Sequence, residues 1–270
     1  MVSMMWLPSL QRALADLGQG ALRWLSNWWR IVHLGAVILV MAMSPSSYRR
    51  ERWPALASHL YLATAPVLLW FAVLSALLGL VLIRIVVVTA LSYGLSQYAV
   101  DMVVRVLVLE LIPLAAALFV ALRITIPQGA ELMRWRQQGR FAEWQQQGRD
   151  VMHWLVLPRA LAGMFSVIML ASVSCLVALV LAYLNIYGFN PWGMASYTRI
   201  VGQVFNPVVT LIFAFKTLFF ALTVALIPLA SSLYDEHRPD QVTSPELQML
   251  VRMFLSLLVI ELVSLMGNYY

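Results

Sequence analysis

The chain holds a single cysteine, Cys175, and a single lysine, Lys216. One cysteine excludes a disulfide framework and a cysteine-based metal cluster within the chain. The lysine lies in IFAFKTLFF with no glycine before it, which excludes a Walker-type phosphate loop, G-x-x-x-x-G-K-[ST]. Neither H-E-x-x-H nor G-x-S-x-G occurs. His33, His59, His153 and His237 are scattered and make no metal-ligand spacing. The apolar runs contain no Ser/His or paired-Asp arrangement of an intramembrane hydrolase. Charged residues make up only 11%, against about 25% in soluble domains. The basic excess sits in loops, so no soluble basic face for nucleic acid is expected. Arg12, Asp16, Arg23 and Arg30 interrupt the N-terminal segment, which does not read as an ordinary signal peptide.

What is abundant is apolar: 62% of 270 residues are hydrophobic. This composition predicts an all-α integral membrane protein with one domain over 1–270. Spanning a core of about 30 Å takes about 20 apolar residues. Five runs qualify: Tyr61–Ile83, Val103–Leu122, Ala160–Leu184, Pro207–Ala230 and Leu247–Met266. Ile31–Met43 is shorter and follows a Trp- and Arg-rich stretch. Tryptophan favours the headgroup zone, and amphipathic basic helices lie in its plane. Residues 7–43 are therefore expected to form an interfacial element, with a sixth full span as the alternative.

Arginine supplies all the remaining basic residues and sets the orientation. Arg12, Arg23, Arg30, Arg49, Arg50, Arg52, Arg134, Arg136, Arg140, Arg149 and Arg238 fall on one side, and only Arg84 and Arg199 on the other. The positive-inside rule puts the first set, with the N-terminus, in the cytoplasm and the C-terminus outside. The longest cytoplasmic loop, 128–150, contains the echo WRQQGR and WQQQGR. Its good helix formers predict two or three short helices punctuated by Gly139 and Gly148. The outer stretch NIYGFNPWGMASYTR reads as an aromatic, turn-rich loop.

Several charges fall within or near the ends of the runs: Asp101, Arg105, Glu110, Lys216, Arg252 and Glu261. Each costs about 2.5–3.5 kcal/mol at a helix centre and normally finds a partner or a wet cavity. Asp101 and Arg105 are spaced to pair on one helix. Glu110, Lys216 and Glu261 have no such neighbour and fall at similar depth. Lys216 is expected to pair with Glu110 or Glu261, either as a packing bridge or as the wall of an outward-opening cavity. Pro113 removes a backbone donor and frees the carbonyl of residue 109.

The spacing of these residues resembles the MlaE/YrbE permease family, the membrane subunits of ABC lipid transporters linked to MCE proteins. Glu110, Leu111 and Pro113 match the family's E-L-x-P. Arg123, Glu131, Asp150 and Pro158-Arg159 fall in register behind them. Lys216 with FALTV resembles K-x-x-x-F-A-I-T-V, Glu261 falls near an acid of the last span, and Gly79 near a glycine of the first. Leu109, Ile112 and Val151 depart from the family's Arg, Gly and Pro, as in a divergent branch. The resemblance implies a permease moving phospholipid or a related lipid between the inner membrane and the periplasm or outer membrane. It implies a second permease copy, a cytoplasmic ATPase carrying the ATP and magnesium, and an MCE-domain protein in the periplasm. Gly79, Arg84, Glu110, Pro113, Lys216 and Glu261 become cavity candidates. Arg123, Glu131, Arg134, Arg136, Arg140 and Asp150 become ATPase-coupling candidates, with 128–150 as the coupling loop. The competing readings are a secondary transporter, whose inverted repeats are not visible in the sequence, and a non-transporting scaffold.

Overall fold

A computed structural model describes residues 26, 28–44, 53–95, 98–146, 148, 150–234 and 244–269. All regular structure among them is helical. A short helix, α1 (Trp28–Met43), precedes α2 (Trp53–Ser92), α3 (Ala99–Gln137), the short α4 (Arg140–Gln146) and α5 (Met152–Tyr187). Then follow α6 (Gly193–Val204), α7 (Pro207–Tyr234) and α8 (Pro245–Tyr269). Helices α2, α3, α5, α7 and α8 are long and apolar enough to cross a membrane. With 40 residues, α2 reaches about 60 Å, twice the hydrocarbon thickness.

Helix α5 is central, packed along α2 on one side and α7 on another. Helix α8 closes against α7, and the C-terminal part of α3 lies on α7 as well. One buried cluster includes Leu132, Leu170, Phe220, Ile227 and Leu257. A second, around Ile83, Val104, Val108 and Cys175, continues to Tyr197 on α6. Leu69, Trp70, Leu176, Val180, Leu262 and Val263 are exposed, the surface such helices turn to lipid. Close helix approach relies on small residues. A Cβ on Gly129 would lie 2.9 Å from both Cβ and O of Pro228, so α3 and α7 touch backbone to backbone there. A Cβ on Gly163 would meet Thr125 Cγ2 at 2.9 Å. Buried Thr64 and Ser166 share a 2.7 Å hydrogen bond that ties α2 to α5.

Three π-helical segments interrupt the long helices: Val104–Leu111 and Ala121–Thr125 in α3, and Met152–Val156 opening α5. In each case the next residue but one is a proline: Pro113, Pro127 or Pro158. The last wide turns are closed by Ile112 N–H to Leu107 O, Ile126 N–H to Ala121 O and Leu157 N–H to Met152 O. A proline ring in a regular α-helix collides with the carbonyl four residues back. The wider turn moves that carbonyl aside, so the π segments are the physical answer to the prolines.

Two expectations change. The 128–150 stretch is not a loop from its start: α3 runs on to Gln137, because Gly129 is held against Pro228 and AELMRWRQ is good helix-forming sequence. Gly139, at φ +74°, makes the break before α4, and Gly148 repeats it at φ +71°. The outer aromatic stretch contains α6, whose Tyr197 packs against Tyr183 and Tyr187 at 5.3 and 6.2 Å. Tyr197 donates a 2.7 Å hydrogen bond to the Leu179 carbonyl. Burial, with Tyr187 alongside, pushes its phenol up to about 12, so it stays a donor. Most of the 7–43 element lies outside the described residues. Its described part, α1, buries Leu34 and Ile38, sets Gly35 against Leu226 of α7, and leaves Trp29 and Val40 exposed.

Candidate functional site

The unpaired charges of the sequence converge. Glu110 on α3 and Lys216 on α7 are 8% and 3% exposed, and their side chains are in direct ion-pair contact. Glu261 of α8 brings Oε2 within 2.8 Å of the same ammonium. This contact sets a second carboxylate on the one cation. Lys216 therefore has both acids as partners. Asn268 Nδ2 donates to Glu110 Oε1 at 3.3 Å and adds the end of α8 to the cluster.

Pro113 completes the geometry. Helical register after the π segment would make residue 113 the donor to the Leu109 carbonyl, and proline has no N–H. Val108 O is skipped where the register changes from π to α. Both carbonyls are taken by side chains: Lys216 Nζ donates to Leu109 O at 3.2 Å, and Cys175 Sγ to Val108 O at 3.4 Å. A buried backbone acceptor left unmade costs about 1–3 kcal/mol. The π–proline junction thus gives the lone lysine and the lone cysteine each a carbonyl.

The cluster holds two acids for one base inside an apolar bundle. Next to it, Lys216 and Ser264 line an open, mostly apolar groove of about 450 Å³ between α7 and α8. The Ser264 hydroxyl is buried with no hydrogen-bond partner among the described residues. The other cavity candidates lie elsewhere. Gly79 lines a separate apolar groove of about 400 Å³ between α2 and α3, and Arg84 is exposed on α2. Asp101 and Arg105 pair on α3 at 3.0 Å, as their spacing predicts.

The coupling candidates gather at the opposite end of α3. Arg123, Glu131, Arg134 and Arg140 line one cavity of about 690 Å³, walled by the start of α2. Arg136 turns away and donates to Ser232 O of α7 at 3.4 Å. Asp150 stands apart: its Oδ1 accepts from Met152 N–H at 3.0 Å and caps the start of α5. Two participants were not singled out from sequence as site residues. Arg159 lies 3.8 Å from Glu131, and its Cζ is 5.3 Å from the Trp135 ring centre, which Arg140 flanks at 5.9 Å. The tryptophan of the WRQQGR echo was the available signal. Among the described residues, no group of three or more His, Cys, Asp or Glu could hold a metal ion.

The family model described as Permease MlaE matches residues 56–266, which include Glu110, Lys216, Glu261 and the arginine cavity. No curated protein matches the chain.

Proposed function

The chain belongs to the MlaE permease family, the membrane subunits of lipid ABC transporters, and we propose that it exchanges phospholipid or a related lipid between a bacterial inner membrane and the periplasm or outer membrane. The match over residues 56–266 carries this reading. The membrane subunit supplies the lipid path. A cytoplasmic ATPase supplies ATP hydrolysis, a second copy of the permease completes the cavity, and an MCE-domain protein receives or delivers lipid outside.

The geometry supports a mechanical role for α3. Its C-terminal end carries Arg134 and Arg136 and leads through Gly139 into α4, a polar surface suited to a partner interface. Its other end holds Glu110 against Lys216. Closure of two ATPases against 128–150 shifts α3, and the shift is felt at the α3–α7–α8 cluster. No bond chemistry is assigned to this chain; work enters as displacement.

Purification from native membranes under mild detergent tests the proposal. The expected result is co-elution of two permease copies with an ATPase and an MCE-domain protein, and ATP-dependent lipid transfer after reconstitution. A chain that elutes alone and drives uptake from an ion gradient in liposomes overturns it.

A further inference from the structure

The Glu110–Lys216–Glu261 cluster does not balance its charge. Two carboxyl groups, one from α3 and one from α8, meet the single ammonium of α7. With all three ionised, one negative charge is in excess. The fully buried Phe220 stands beside the ammonium, its ring centre 5.8 Å from Nζ. An uncompensated carboxylate in such apolar surroundings is so costly that the group takes up a proton instead.

The other cations of the helices packed here are engaged elsewhere or exposed. Arg105 of α3 is paired with Asp101, and Arg123, Arg134 and Arg136 lie at the far end of that helix. Arg252 of α8 bonds Ser231 Oγ of α7 at 3.4 Å. Arg84 of α2 and Arg199 of α6 are exposed. On α5, the Cys175 thiol donates to Val108 O. Asn268 is neutral, and its Nδ2 already bonds Glu110 Oε1.

Hydrogen bonding points the same way. The carboxyl groups of Glu110 and Glu261 are within hydrogen-bonding reach of each other. Ionised carboxylates only accept, so a bond between two of them requires a proton on one. Paired carboxyl groups elsewhere share a proton because like charges in contact cannot both ionise. Ser264 follows Glu261 by three residues on α8 and is 7% exposed. Its hydroxyl has no hydrogen-bond partner among the described residues, and the residue lines the open groove beside Lys216. A hydroxyl both donates and accepts, so it suits proton passage between groove and carboxyls.

We propose that Glu110 and Glu261 share one exchangeable proton, which makes the cluster a neutral proton-binding site inside the membrane part. The proton comes from water as an O–H bond forms on one carboxyl, and returns to water when that bond breaks. It belongs to the pair rather than to either acid. One consequence rests on the cycle proposed above. When α3 draws away, Glu110 leaves with the proton, and Lys216 stays with Glu261 as a neutral pair. The contact then opens without leaving a bare buried charge, the costly outcome of separating an ion pair.

Infrared spectroscopy of the protein as purified tests this, because a protonated carboxyl has a C=O stretch that a carboxylate lacks. Spectra are taken at neutral pH, where ordinary carboxyl groups, with pKa values of about 4, are ionised. Differences between wild type and variant remove the carboxyl groups of any co-eluting subunit. Wild type in choline chloride is expected to show a carboxylic-acid band that shifts in D2O. Glu110→Gln and Glu261→Gln each leave one acid for one base and are expected to lose it. Lys216→Met leaves two acids without a cation and is expected to about double it. Sodium chloride in place of choline chloride is expected to leave the band unchanged. A wild-type spectrum without the band overturns the site, and so does a band that survives in either acid variant. A band lost on adding sodium makes the ligand a metal cation and also overturns it. Monodisperse elution shows that a variant has folded, and the wild-type spectrum refutes the site without any variant. The band is read whether or not an ATPase co-elutes, so this proposal and the transporter reading fail separately.

Discussion

Lys216 and Glu261 meet 2.8 Å apart across the α7–α8 contact, and Glu110 of α3 closes on the same ammonium. One cation thereby joins α3 to the later pair α7 and α8. Removing one partner of a buried ion pair typically costs about 3–5 kcal/mol, because a bare charge stays behind. Lys216→Met is expected to destabilise by that order, seen as a lower temperature at which the protein remains monodisperse after heating. Adding Glu110→Gln and Glu261→Gln to Lys216→Met should recover most of the loss. Lys216→Glu with Glu110→Lys or with Glu261→Lys should likewise exceed either single reversal, and absence of rescue in both pairs would falsify the pairing.

Gly129 and Gly163 both sit at tight crossings, but against different atoms. Gly129 faces the backbone of Pro228, which cannot turn aside, and Gly163 faces a methyl group of Thr125. Overpacking costs about 1–3 kcal/mol. Gly129→Ala is expected near the upper end and Gly163→Ala near the lower, measured by the same heating assay. The reverse ranking would mean that the α3–α7 contact is looser than the structure has it.

Prolines should differ in their cost. Pro66 lies inside α2, outside the three π segments, and a proline in a helix interior is about 3 kcal/mol worse than alanine. Pro113 follows a π segment, and the carbonyl it frees is bound by Lys216. Pro66→Ala is expected to raise stability by up to about 3 kcal/mol, and Pro113→Ala by no more than about 1 kcal/mol, since the lysine bond already offsets the missing donor. Equal gains in thermal stability would show that the π segment does not accommodate Pro113.

Arg134, Arg136 and Arg140 are expected to matter for the partner rather than for the bundle. Arg134 and Arg140 are exposed, and the exposed Arg136 donates a long bond to Ser232 O. Their joint replacement by glutamine should leave the elution profile and thermal stability of the permease unchanged while the ATPase no longer co-purifies. A variant complex that assembles and turns over ATP normally would remove 128–150 from the coupling role.

The cluster was legible in sequence because an ionisable residue without a neighbour one turn away must find a partner on another helix. Glu110, Lys216 and Glu261 each met that condition, and Asp101–Arg105 was legible for the opposite reason. The extension of α3 into 128–150 was not: a change from apolar to polar composition reads as a membrane exit, but a helix has no need to stop at the interface. The π segments had a local signal, the three prolines, yet proline alone allows a kink, a break or a wide turn. Arg159 and Trp135 were hidden because their contact joins two helices across a crossing that only packing defines.

Helices α3 and α7 are fastened at two levels, by the Glu110–Lys216 pair and by Gly129 against Pro228. At 1.5 Å per residue, the run from Glu110 to Gly129 is about 28 Å, whereas Lys216 to Pro228 is about 18 Å. Between the fastenings of α3 lie Pro113, Pro127 and the second π segment, whose wider turns shorten the run. A force applied beyond Gly129 meets a helix already held to α7 at two levels, so it reaches Glu110 only through the stretch between them.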